Sequence, residues 1–412
     1  MTPKLASFLS RSARTGVAFT PTLLACYAIA ASIHLASMVL NTLLPFHVVR
    51  LGGSKTEVGL LFSVMTVISM FLRPVVGGWV DAVGVRPVLL PGVAALAATS
   101  LALHLATTPM GVIVLMAGVG LANGLISTTA AVLAAGSSSA AHRGEVLGVY
   151  YLASSLAIAV APPLAFALLQ LGGMPLSFVV VTGLAGAMTV LVWSLPGAAT
   201  ATVAGAPPGF RLWSRHALPS SATLVLTSIG HSSIYAFLPL YAVSRGQGKA
   251  IAWFFTVYPI WLIACRAVLR RLSDRVGRAR VILPAIACLA GGFFALALDP
   301  TPASLVLSAI LLATGGSVLY PTLAALVVDR APAAERGLAL GTLSASWDLG
   351  VVIGSALIGL VSDRVSYGAG FALAGITAAL GIFAFLALEQ RHARLVALQG
   401  PAGSMDSSTR AS

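Results

Sequence analysis

Arg73-Pro74-Val75-Val76-Gly77-Gly78-Trp79-Val80-Asp81-Ala82-Val83-Gly84 returns in outline 193 residues later, with Arg73 as Arg266, Asp81 as Asp274 and Val83-Gly84 as Val276-Gly277. Ala140-Ala141, Arg143-Gly144 and Leu147-Gly148 return at the same offset as Ala333-Ala334, Arg336-Gly337 and Leu340-Gly341. Nearer the start of each half the match slips by one residue, pairing Pro45 and Lys55 with Pro239 and Lys249. The recurring residues are polar ones flanking apolar stretches, so the repeat is a duplicated membrane unit covering nearly half the chain. Two similar halves rocking about a central site are a common design for alternating access.

Working outward, the composition agrees with a bilayer: 58% of the 412 residues are hydrophobic and 8% charged, where a soluble domain carries about 25% charged. One span with its connection takes about 34 residues, which gives roughly twelve spans of ~20 apolar residues each. They are read at 21–45, 56–79, 87–106, 110–135, 145–170, 174–195, 218–243, 249–272, 280–298, 303–328, 337–361 and 369–388. The fold class is therefore all-α membrane protein, with twelve transmembrane helices in two six-helix pseudo-symmetric halves. Residues 1–195 form the N-terminal half with a short tail, 196–219 a linker rich in Ala, Gly and Pro, 220–390 the C-terminal half, and 391–412 a second tail.

An even number of spans puts both termini on one side. Of the 24 Lys and Arg, only Arg50, Lys55, Arg245, Lys249 and Arg364 fall in loops on the other side, so the positive-inside rule makes both tails cytoplasmic. The net charge of +13 is then a topology signal and a contact with anionic lipid, with no nucleic-acid motif beside it. Cys26, Cys265 and Cys288 lie inside apolar spans and read as small core residues without disulfide or metal.

Between the second and third spans stand Gly77, Asp81, Gly84 and Arg86; between the eighth and ninth stand Asp274, Arg275, Gly277, Arg278 and Arg280. This resembles the loop signature of the major facilitator superfamily, which recurs in both halves, and the resemblance covers the chain from first span to twelfth. The first copy has Ala82 where the family has a base, and the second has Arg270 in place of the first Gly. The resemblance implies that Asp81 meets the start of the eleventh helix and Asp274 the start of the fifth. There a carboxylate offsets the positive end of the helix dipole, and the pair latches the cytoplasmic side shut. Among members, the chain is most similar to bacterial drug or metabolite:proton antiporters. The family's antiport motif, however, is altered here to Ala157, Ala161, Pro162, Ala165 and Phe166, and Pro162-Pro163 is expected to kink the fifth helix. Where drug antiporters often carry an acid in the first helix and an Arg in the fourth, this chain has Asn41 and Met116.

Asp348 alone among the eleven acids sits near the middle of a span. A central Asp costs about 2.5–3.5 kcal/mol on insertion scales, so it should face water or a partner, and it is the first candidate for proton binding. His34 and His231 follow, each near the centre of the first helix of its half. Tyr27, His34 and Asn41 recur every seven residues, and Tyr235 lies one turn beyond His231. Asn123, Ser127, Tyr258, Trp261, Tyr320 and Trp347 complete the candidate cavity lining. Arg73 and Arg266, near the cytoplasmic ends of their helices, are assigned to the loop signature by snorkelling.

Gly52-Gly53-Ser54-Lys55-Thr56 lacks the spacing of a phosphate-cradling loop, and no metal-ligand cluster or activated nucleophile occurs, so neither an enzyme nor a cofactor is expected. The combined expectation is a monomeric inner-membrane transporter whose partners are a small-molecule substrate, protons and the bilayer. One deep carboxylate, no deep base and several aromatics suit a neutral or cationic amphipathic ligand, exported against protons. Proton-coupled uptake of a metabolite, and a receptor or passive facilitator, are the alternatives.

Overall fold

A computed structural model describes residues 20–137, 142–195, 213–269, 276–332 and 335–398, and no β-strand occurs among them. Helix starts follow local chemistry. Thr20-Pro21, Thr108-Pro109 and Thr301-Pro302 each place a threonine whose hydroxyl accepts a backbone N–H of the first turn, ahead of a proline with no N–H to satisfy. They open α1 (Pro21–Arg50), α4 (Pro109–Gly136) and α10 (Pro302–Arg330). A reciprocal cap between Ser54 and Glu57 opens α2 (Lys55–Val83).

Gly84 ends α2 and begins α3 (Val85–Ala102) with φ 86° and ψ 174°; its repeat partner Gly277 precedes α9 (Arg278–Ala297) with φ 93° and ψ 142°. These backbone conformations are nearly closed to residues with a Cβ, which accounts for the recurring glycine. Gly84→Ala is expected to destabilise the protein by about 1–3 kcal/mol, read as a lower melting temperature of the purified protein.

Arg143–Ser194 runs as one helical stretch of 52 residues, but Gly172 and Gly173 leave helical space (φ −156° and 68°), dividing it into α5 and α6. Helical dihedrals hold through Pro162-Pro163, so those prolines do not interrupt α5. The seventh span, expected to be continuous, is instead three pieces, Leu218–Ser228, His231–Ala236 and Leu238–Ser244 (α7a, α7b, α7c), with a 50° bend before the last. The first break has a packing cause. A side chain on Gly230 would overlap the ring of Phe293 at 2.3 Å, and Gly354 of the eleventh span comes so close that its Cβ would lie 1.9 Å from the Ile229 carbonyl oxygen.

α8 (Ile251–Leu269), α11 (Arg336–Arg364) and α12 (Tyr367–Leu398) complete the fold, the last running ten residues past the expected end of its span. Among the described residues nine helices are long and apolar enough to cross a membrane. One of them holds both α5 and α6, and the bent α7 and shorter apolar α8 bring the number to twelve.

The cores show how the halves meet. One cluster fills the N-terminal half and continues into the C-terminal half through residues on the face opposite the termini, such as Tyr241, Phe254, Phe293, Ile358 and Phe371. A second, separate cluster holds the terminal-side ends of the C-terminal half through Leu224, Ile286, Leu323, Leu343 and Phe385. The two halves are thus fused on one face and parted on the other.

Candidate functional site

The seam that fuses them runs between α2 and α11, antiparallel neighbours. At its outer end Lys55 Nζ donates to the Ser362 carbonyl at 2.7 Å and lies 4.4 Å from the Tyr367 ring centroid, while Thr56 Oγ1 donates to Asp363 at 3.0 Å. Deeper, Gly59 crosses Ser355 and Gly359 backbone to backbone, and the Ser63 and Ser355 hydroxyls are 2.8 Å apart. At mid-depth Arg73 Nη1 donates to Asp348 Oδ2 at 2.6 Å. The Asp348 side chain is 8% exposed and that of Arg73 42%, so the pair stands at the edge of a space.

That space is a cavity of about 650 Å³ bounded by α1, α2, α4, α5 and α7–α11, in the half of the molecule nearer the termini. Repeat-related positions build much of it. His34 and Thr227, Met38 and His231, Ser127 and Tyr320, Tyr151 and Ser344, Arg73 and Arg266, and Ser155 and Asp348 are each 193 residues apart, and all line the wall. The pseudo-twofold axis of the duplication therefore passes through the cavity, as expected where two copies of one surface face each other.

Of the residues read from the sequence, Asp348, His34, His231, Ser127, Tyr235, Tyr258, Tyr320 and Trp347 line this cavity. Trp347 organises one wall, its ring centroid 4.8 Å from that of His231 and 5.9 Å from that of Tyr320; the Tyr320 and Ser344 hydroxyls are 2.9 Å apart. His34 Nδ1 lies 2.7 Å from the Ala30 carbonyl oxygen, a bond within its own helix.

Tyr27, Asn41, Asn123 and Trp261 do not line it. Tyr27 and Asn41 are buried in packing around α1, where Met38, one turn beyond His34, takes the lining position. Asn123 accepts through its carbonyl from Ser127 Oγ, one turn nearer the cavity. Trp261 points away on α8 and its indole N–H donates to Thr314 at 2.9 Å.

The larger correction concerns the two arginines. Arg73 and Arg266 were assigned to the loop signature, but both side chains line the cavity. Each sits eight residues before its signature Asp, which is about 12 Å along a helix and far into the bilayer. The statement that no base lies deep therefore fails, and with it the ground for a neutral or cationic ligand. Recurrence of an arginine inside both apolar spans was the signal available for finding them.

The latch residues divide differently. Asp274 and Arg275 lie outside the described residues, and Gly77 and Asp81 are placed only through the helical backbone of α2. Arg86 donates to the carbonyls of Trp193 (2.7 Å) and Leu195, tying the start of α3 to the end of α6. Arg278 donates to Asp329 at 2.5 Å, tying α9 to α10. These described contacts of the signature's bases brace each half internally.

Chemically, the site is an aromatic-walled chamber with one carboxylate, two guanidiniums and two imidazoles, joined across the halves by a single ion pair. A Major Facilitator Superfamily family model matches residues 26–248 and 220–404 of the chain. An uncharacterized MFS-type transporter of Burkholderia pseudomallei (strain 1106a) is 27% identical over 360 residues, which cover 84% of this chain and 86% of that protein. One of Pseudomonas aeruginosa (strain UCBPP-PA14) is 28% identical over 362 residues, covering 84% and 87%. Among solved structures, the nucleoside transporter NupG aligns with a TM-score of 0.71 at 16% identity, over 89% of this chain and 98% of that one. A POT family transporter in complex with 5-aminolevulinic acid aligns at 0.75 and 12% identity, over 90% and 96%. At these identities the structural likeness is one of fold.

Proposed function

This chain belongs to the major facilitator superfamily, and from that premise we propose that it is a proton-coupled secondary transporter exporting a small amphipathic molecule by alternating access. It is a multi-pass membrane transporter of that class; the proton, the direction and the substrate are the proposal. The observation that carries it is the Arg73–Asp348 pair, which joins the two halves at the cavity wall.

With Asp348 ionised, the pair adds to the α2–α11 seam and favours the arrangement in which the cavity faces the termini. Protonation of Asp348 removes the charge that holds Arg73, loosens the seam and favours opening to the other face. A site whose proton occupancy biases a two-state element is what coupling requires. The terminal face is cytoplasmic on the charge distribution of the loops, and the membrane is the bacterial inner membrane. In the state open to the other face, Asp81 and Asp274 meet the starts of α11 and α5 and close the cytoplasmic side. The chain works as a monomer, without cofactor or nucleic acid.

The test is accumulation of a panel of labelled amphipathic compounds, one cationic, one neutral and one carboxylated, in exporter-deficient bacteria with and without a protonophore. Cells making the native protein are expected to hold less of at least one compound, and the protonophore is expected to abolish the difference. Greater accumulation would instead identify uptake. Protonophore-insensitive equilibration would identify a facilitator.

A further inference from the structure

Arg73 and Arg266 are repeat partners, and so are Asp348 and Ser155, all at the offset of 193. The ion pair between Arg73 on α2 and Asp348 on α11 therefore has an internal counterpart between Arg266 on α8 and Ser155 on α5. The structure contains that counterpart: Arg266 Nη1 donates to Ser155 Oγ at 3.4 Å. Geometry has been kept through the duplication and charge has not. Where one arginine meets a carboxylate at 2.6 Å, the other meets a hydroxyl at a long distance, and among the described residues no carboxylate pairs with it.

We propose that Arg266 anchors a carboxylate on the transported molecule, which takes beside Arg266 the place that Asp348 takes beside Arg73. The planar guanidinium matches both oxygens of a carboxylate, and a hydroxyl at the position of Ser155 can donate to the same group. Leaving a guanidinium without a counter-charge in a cavity walled by the bilayer is costly, so a ligand that supplies one gains affinity from the mismatch. The walls beside Arg266 are apolar and aromatic: Leu262, Pro259, Tyr258 and Phe255 climb α8 from it, and Trp347 and Tyr320 stand on α11 and α10. They suit the organic body of an amphipathic monocarboxylate. A phosphate dianion would call for a second unpaired base, and the one nearby is already neutralised by Asp348.

This inference rests on the transporter reading for the word "transported", but the site can be tested without transport. Binding of naphthalene-2-carboxylate and naphthalene-2-carboxamide to the purified full-length protein is measured by calorimetry. The native protein is expected to bind the carboxylate at least tenfold more tightly than the isosteric amide. Arg266→Gln is expected to erase that preference, and Ser155→Asp, which supplies the counter-charge internally, to erase it while raising the melting temperature. Should Ser155→Asp fail to fold, Arg266→Gln decides. Equal affinity for the two probes in the native protein, no measurable binding of the carboxylate, or an undiminished preference in either folded variant would overturn the proposal. Carboxylate preference without any proton-dependent flux would leave the anchor standing and remove the transport reading, and the reverse pattern would do the opposite.

Discussion

Asp348→Asn is expected to abolish proton-driven transport and to make the balance between the two conformations independent of pH. The substitution keeps size and hydrogen-bonding capacity but removes the charge that faces Arg73 at 2.6 Å. Removing one partner of a fully buried ion pair costs about 3–5 kcal/mol, because the other charge is left behind. Here the Arg73 side chain is 42% exposed to the cavity and keeps part of its hydration, so about 2 kcal/mol is expected. That is enough to change a conformational equilibrium constant by more than tenfold. Raising the proton concentration should push the native protein the same way, while the Asn variant, already without the charge, stays put. Spin labels at Val49 and Val365, exposed residues at the outer ends of the two halves, report the change as a distance distribution. A pH response that survives in Asp348→Asn would move the proton site to His34 or His231. Arg73→Gln combined with Asp348→Asn should recover most of the lost stability without recovering coupling, which separates the structural role of the pair from its titration.

Gly59→Leu is expected to act on the same equilibrium by sterics alone. A Cβ on Gly59 would lie 2.1 Å from the Ser355 carbonyl oxygen and 3.4 Å from the Gly359 Cα. Those are backbone atoms of α11 and cannot rotate away. The helices must therefore separate at the seam, at a cost in the range of about 1–3 kcal/mol for overpacking, or roughly 5- to 150-fold in population. The repeat does not offer a second such crossing, since the positions equivalent to Ser355 and Gly359 on α5 are Pro162 and Phe166. The same label pair should show the outer ends of the halves parted at all pH values, with transport reduced whatever the substrate. Unchanged distances would mean that the seam tolerates a side chain and does not set the conformational balance.

Asp348 was legible in the sequence because a lone acid in the middle of an apolar span has few structural explanations. His34, His231, Tyr258 and Trp347 were legible through their depth. The failures share one cause. A seven-residue spacing groups Tyr27, His34 and Asn41, but a straight helix drifts by ~20° per heptad, and α1 is buried by neighbours along most of its length. Only the segment beside the terminal-side cavity faces open space, so Met38 lines the wall and Asn41 does not. The continuous seventh span failed for a related reason: its break comes from Phe293 and Gly354, residues distant in sequence that press on Ile229-Gly230.

What the sequence determined by itself is everything that follows from one-dimensional pattern: the number of spans, the duplication, the charge asymmetry of the loops and the depth of each polar group. Hydropathy and repeat offsets are properties of the chain, and the bilayer converts position in a span directly into depth. Tertiary structure alone decided which way each helix turns about its own axis. Spans that are apolar all round carry no amphipathic stripe to fix that rotation, so it is set by neighbours, through glycine crossings and ridge packing. That rotation brought Arg73 to Asp348, 275 residues away in sequence, and left its repeat partner Arg266 facing only a serine.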